Sequence, residues 1–130
     1  MKKSIISVGN IDIPIVEESF PSDNIISVKA GTSGWQKGEG HRYDCKTYLR
    51  IQDDACTNMK GIVVEDDYGE AESVQILLEG ESELITFICG LKFALDTLVE
   101  QNKQRLPDFD LEKTYEELTQ YAVNENEIGL

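Results

Sequence analysis

The chain has 130 residues, with 12 basic against 25 acidic side chains and a net charge of −13. At 40% hydrophobic residues it suits one domain with its own core and is too apolar for disorder throughout. The acidic balance excludes a general nucleic-acid or anionic-membrane binder, which needs a cationic footprint. No apolar run approaches the about 20 residues of a membrane span.

Met1 to Val8 has the charge of a signal sequence, but its apolar run is too short and Gly9-Asn10 follows at once. The expectation is a chain that begins at Met1 in a cytoplasm. Residues 4–8 and 11–17 read as strands around the two-residue loop Gly9-Asn10. Pro14 inside the second run points to a sheet edge or a bulge. Ser19 to Asn24 is turn chemistry, and Ile25 to Ala30 is a third strand. Gly31-Thr32-Ser33-Gly34-Trp35-Gln36-Lys37-Gly38-Glu39-Gly40 follows, a glycine-rich loop that carries the only tryptophan. Its backbone N–H groups could cradle a phosphate, or it is a long solvent-exposed hairpin loop. Trp35 is either tucked into the sheet or offered to a partner.

Arg42 to Gln52 alternates strictly. Tyr43, Cys45, Thr47, Leu49 and Ile51 take one face, and Arg42, Asp44, Lys46, Tyr48 and Arg50 the other. Met59 to Val64 and Ser73 to Leu78 complete six strands, arranged as a meander. From Glu83 to about Lys103 the period becomes helical. Leu84, Phe87, Ile88, Leu91, Ala94, Leu95 and Leu98 form a stripe for the sheet. Ile85, Cys89 and Phe93 form a second stripe, for the last helix or another subunit. Gly90 marks a close approach. Pro107 ends the connection, and Asp108 or Asp110 caps a final helix carrying Leu111, Tyr115, Leu118 and Ala122. The reading is one α+β domain over 1–130: a β-rich antiparallel sheet of five or six strands over 1–80, a long and a shorter helix over 81–123, and a tail over 124–130.

Cys45, Cys56 and Cys89 are odd in number and lack Cys-x-x-Cys spacing. They read as small buried groups in a reducing compartment, not as a disulfide framework or a zinc site. His41 is the only histidine, and no nucleophile motif is present, so no catalytic residue, metal or cofactor is expected. Asp53-Asp54 with Asn58, and Asp66-Asp67 with Glu70, lack the full calcium-loop pattern and read as solvated turns.

Charge is uneven. Residues 65–83 and 106–130 are acid-rich, while Lys29, Lys37, Arg42, Lys46 and Arg50 gather around the glycine-rich loop. Arg42, Lys46 and Arg50, with Tyr48 between them, could bind a small phosphorylated ligand through guanidinium forks, or pair across strands with carboxylates such as Glu65 or Asp66. Trp35, Phe87, Lys92 and Arg105 complete the candidate ligand-binding set, near a helix-mediated homodimer or higher-oligomer interface. The competing class is an acidic protein-inhibitor or immunity-like module for a basic protein partner.

A β-rich first part, the helix Glu83-Leu84-Ile85-Thr86-Phe87-Ile88-Cys89-Gly90-Leu91-Lys92-Phe93-Ala94-Leu95, and a second helix resemble the phage Thoeris anti-defence sponges in layout. That resemblance implies a non-enzymatic protein of paired or higher-order subunits. Such a protein sequesters cyclic nucleotide signals, cyclic ADP-ribose isomers among them, inside the bacterial host cell and silences its immunity.

Overall fold

The computed structural model describes residues 1–38 and 40–128, without the side chains of Arg42 and of residues 121–128. The fold is α+β. Strands β1 (Lys2–Val8), β2 (Ile11–Pro21), β3 (Ile25–Thr32), β4 (Thr47–Ala55), β5 (Met59–Glu65) and β6 (Ala71–Leu78) precede helices α1 (Glu81–Arg105) and α2 (Leu111–Ile128). All strand pairs are antiparallel, but the meander divides. β1 to β4 form one sheet in sequence order, and β5 with β6 form a separate hairpin.

Local chemistry accounts for most of the boundaries. Gly9, at φ +63°, occupies the first place of the two-residue turn that pairs Val8 with Ile11, where a primed turn favours glycine. Pro14 lies in an interior strand rather than an edge strand. It pairs with Ile5 on the β1 side, whereas the β2–β3 ladder begins only at Val16↔Ala30, so its missing N–H costs no ladder bond there. The expected turn at Ser19 starts later, because Ser19, Phe20 and Pro21 remain paired with β3. The Arg42–Gln52 strand is shorter than its alternation predicts. Arg42–Asp44 is a single 3-10 turn and β4 begins at Thr47. Ser33 takes the intervening polar groups: its hydroxyl donates to the Asp44 carbonyl (2.7 Å) and accepts from the Lys46 N–H (2.8 Å). Helix α2 starts where Asp110 caps it, its carboxylate accepting the Lys113 N–H at 3.1 Å. It continues past Asn124, where the sequence reading placed a tail.

The largest correction concerns α1. The stripe expected on the sheet is mostly outside: Leu84, Ile88, Leu91 and Leu95 are exposed. Glu83, Thr86, Gly90, Ala94 and Thr97 face inward instead. The reason is distance. A Cβ on Gly90 would sit 2.8 Å from Val28 Cγ2, with Ile26 Cδ1 and Phe20 Cδ2 also within reach. Ile26, Val28 and Ala30 are fully buried beneath the helix, with Phe20, Ile51 and Phe93 around them, and only small residues fit between these side chains and the α1 backbone. Phe20 and Phe93 meet with ring centroids 5.8 Å apart, tilted by 60°, a favourable edge geometry.

A buried polar knot fixes the start of α1. Asn24 donates to the hydroxyls of Thr57 and Thr86, both at 3.0 Å, and accepts from Ser82 at 2.5 Å. Thr57 passes the network on to the Ile25 carbonyl. Glu83, buried in the first turn, accepts the Asn58 N–H at 3.1 Å. Two outcomes follow. Asn24→Ala, which removes three side-chain hydrogen bonds at once, is expected to lower unfolding free energy by about 3 kcal/mol in urea denaturation. Gly90→Val, which overpacks the contact with Val28, is expected to cost about 1–3 kcal/mol even though glycine is a poor helix residue.

Candidate functional site

The glycine-rich loop is not a free hairpin tip, nor does its start offer a phosphate cradle. Thr32, Ser33 and Gly34 are buried. The Thr32 N–H donates to Gln101 Oε1 (2.7 Å), the Ser33 N–H to the Lys46 carbonyl (2.9 Å), the Gly34 N–H to Thr32 Oγ1 (3.0 Å) and the Trp35 N–H to Asn102 Oδ1 (2.9 Å). Every donor in that run is taken. Gln101 also donates to the Pro14 carbonyl at 3.1 Å, so one amide ties the loop, β2 and α1 together.

That anchoring builds a pocket of about 310 Å3 at the C-terminal end of α1. Trp35, Leu98, Val99 and Phe109 supply its apolar lining. The Leu106 carbonyl accepts the Phe109 N–H at 3.0 Å, and the turn so formed delivers Phe109. The Thr32 and Thr47 hydroxyls, 3.0 Å apart, and the Asn102 amide supply polarity. Arg105 lies against the loop beside Trp35. Its Cγ lies 2.8 Å from where a Gly34 Cβ would be, and Gly34 is at φ +81°. Only glycine lets the loop turn there and lie against the arginine stem. Arg105 carries no ion pair among the described residues.

The eight sequence-derived candidates do not converge on one place. Trp35 lines the pocket, and the Arg105 stem lies against the neighbouring Gly34. Tyr48 and Arg50 lie on β4 and alternate with Ile51, which packs toward α1, so they belong to the opposite face of the sheet. There Glu17, Lys29 and Arg50 sit side by side across three strands, and Glu17 takes both cations, at 3.3 Å from Lys29 and 3.7 Å from Arg50. Cross-strand pairing is thus the arrangement at Arg50, with Glu17 rather than Glu65 or Asp66. Arg50 Nε is nevertheless buried without an acceptor. Lys46 is bound through its backbone N–H and carbonyl to Ser33. Arg42 lies in the 3-10 turn, and its side chain is outside the described residues. Phe87 and Lys92 lie on α1, Phe87 half-buried and Lys92 exposed. Lys92 is bound to Asp96 at 2.6 Å, and this hydrogen bond, then the carboxylate charge, raises its pKa above the ordinary lysine value.

Asn102 and Phe109 were missed by the sequence reading. Leu98, Asn102 and Arg105 follow one another at helical spacing, so one side of α1 was legible as a unit. Nothing in the sequence signalled that Phe109 returns to it. The three cysteines, expected to be buried, are exposed and free. Cys45 lines the pocket. His41 is exposed and 3.2 Å from Asp44. Asp66 accepts the N–H groups of Tyr68 and Glu70, so it closes a turn. Among the described residues no group of three or more metal-ligating side chains occurs, and no helix is long and apolar enough to cross a membrane. No family model, curated protein or solved structure matches the chain.

Because Trp35 is the only tryptophan, its fluorescence reports this site alone. Asn102→Ala removes the acceptor of the Trp35 N–H and is expected to red-shift the emission while lowering the melting temperature by only a few degrees, for about 1 kcal/mol. An unchanged spectrum would show that Asn102 does not hold the loop.

Proposed function

We propose that the chain is a non-catalytic binder that sequesters a small phosphorylated ligand of the cyclic nucleotide or cyclic ADP-ribose type. One observation carries the reading: Trp35 and Phe109 line one pocket, and the stem of Arg105, which makes no ion pair among the described residues, lies against Gly34 next to Trp35. A nucleobase has a π-face for such rings, worth about 1–3 kcal/mol per stacked base. A phosphate takes two parallel N–H donors from a guanidinium. The Asn102 amide and the threonine hydroxyls are neutral hydrogen-bonding groups suited to ribose and base edges. The pocket is at the small end of ligand sites, which run from about 300 to 1,000 Å3. A second subunit would enlarge it. The outward Leu84, Ile88, Leu91 and Leu95 of α1, with Tyr115 and Leu118 of α2, support a homodimer joined through the helices. In the cytoplasm of an infected bacterium, tight binding without turnover would lower the free signal and act as anti-defence.

A second reading has its own observation. Tyr68, 91% exposed, stands in the turn that Asp66 closes, amid Asp67, Glu70 and Glu72. An acidic knob with a central tyrosine suits a basic protein partner.

Titration with cyclic dinucleotides, cyclic trinucleotides and cyclic ADP-ribose isomers separates the two. The expected result is saturable quenching of Trp35 by one class, at least tenfold weaker in Arg105→Ala with an unchanged melting temperature. Native mass spectrometry is expected to show the same ligand released intact on denaturation. Silence across the panel, with salt-sensitive capture of a basic protein, would replace the sponge reading by the acidic module.

A further inference from the structure

The pocket beside the glycine-rich loop takes its polarity from Thr32, Cys45, Thr47 and Asn102, and no described residue that lines it is charged. Such a site suits the base of a nucleotide rather than its phosphate. The hydrogen-bonding groups that the fold leaves unused then decide which base.

The loop spends its own donors first. The N–H groups of Thr32, Ser33, Gly34 and Trp35 all have acceptors within the chain, so the backbone of that run offers a ligand none. Asn102 takes the last of them. The Trp35 N–H can only donate, so the amide atom 2.9 Å from it is the oxygen. Turning the amide over would set its NH2 group against an N–H. This orientation leaves Nδ2, with its two hydrogens, without an acceptor among the described residues. The Thr32 and Thr47 hydroxyls lie 3.0 Å apart, and whichever donates, the other keeps a free proton. Hydroxyls adapt to either role, but an amide NH2 donates only.

An asparagine with both amide atoms free reads adenine, accepting from N6 and donating to N7. Asn102 has only the second half of that pair. Opposite the 6-amino group of adenine its NH2 group meets another donor. Opposite the 6-oxygen of guanine or hypoxanthine it meets an acceptor.

We propose that Asn102 is the specificity-determining residue of this site and selects a 6-oxopurine nucleotide over a 6-aminopurine one. The inference rests on the reading above that the pocket holds a phosphorylated nucleotide ligand, and it narrows that reading. Cyclic nucleotides containing guanine or hypoxanthine are favoured over cyclic ADP-ribose isomers, whose only base is adenine.

The test titrates the Trp35 fluorescence of the full chain with cyclic di-GMP, cyclic di-IMP and cyclic di-AMP. The last two differ only in the 6-substituent and the N1 proton that accompanies it, so this pair isolates the exchange of oxygen for NH2. Wild type is expected to bind both 6-oxo ligands about tenfold more tightly than cyclic di-AMP, or better. Asn102→Asp keeps an oxygen to accept the Trp35 N–H but has no hydrogen to donate. It is expected to retain the wild-type emission maximum, which shows the loop in place, and to bring the ratio of cyclic di-IMP to cyclic di-AMP affinity to one or below. The ratio is read because the added charge weakens every phosphorylated ligand alike. A wild type that binds cyclic di-AMP as well as cyclic di-IMP, or an Asn102→Asp protein with the wild-type ratio, overturns the selection. Binding confined to adenine-only ligands, cyclic ADP-ribose isomers included, overturns the selection alone and leaves the sponge reading standing. Silence across the full cyclic panel removes both. Should Asn102→Asp fail to fold, Asn102→Ser, whose hydroxyl both accepts and donates, is expected to flatten the ratio towards one, and a wild-type ratio there overturns the selection equally.

Discussion

Helix α1 can lie on β3 only because Gly90 has no side chain. Val28 occupies the space a Cβ would need, and the neighbouring inward positions are Thr86, Ala94 and Thr97. A helix that comes this close spends its small residues on the core. Its leucines and isoleucines then have nowhere to go but outward, which explains why a chain with a buried core still exposes Leu84, Ile88, Leu91 and Leu95. Depth of packing inside and apolar surface outside are two sides of one choice of residues.

Polar groups fix what that packing leaves free. A smooth small-residue seam lets a helix slide or rotate. Asn24 removes that freedom at one end by engaging Ser82 and Thr86, and Gln101 removes it at the other by engaging Thr32 and Pro14. Buried amides whose hydrogen bonds are met specify one arrangement more sharply than apolar contact does. The pocket inherits this order, since Asn102 and Arg105 belong to the turn of α1 that Gln101 pins.

Much of the fold was legible because local signals agreed. Gly9-Asn10, the alternation through Thr47 to Ile51, the paired apolar runs of β5 and β6, and Asp110 ahead of Leu111 each name their element. The alternation failed at Arg42 to Lys46, where Ser33 captures the backbone from 11 and 13 residues away, a competition no local pattern reveals. The inward face of α1 was misread because apolar periodicity measures hydrophobicity, and here clearance decided. Of the site, Trp35 and Arg105 were singled out separately. Their proximity depends on a loop crossing to a helix end far along the chain, as does the return of Phe109. Arg50 was legible as a cation on the polar face of its strand, but its partner Glu17 depends on register across three strands.

The sheet is a succession of neighbours in sequence, yet its cover comes last. Gln101 reaches back 87 residues to Pro14, and Thr86 lies 62 residues from Asn24. On a ribosome adding about 5–20 residues per second, Ile26 and Val28 therefore wait several seconds for the helix that hides them. During that interval the nascent chain presents a finished sheet with an open apolar face. Folding of this protein is paced by its own translation, and the vulnerable period closes only when α1 has left the exit tunnel.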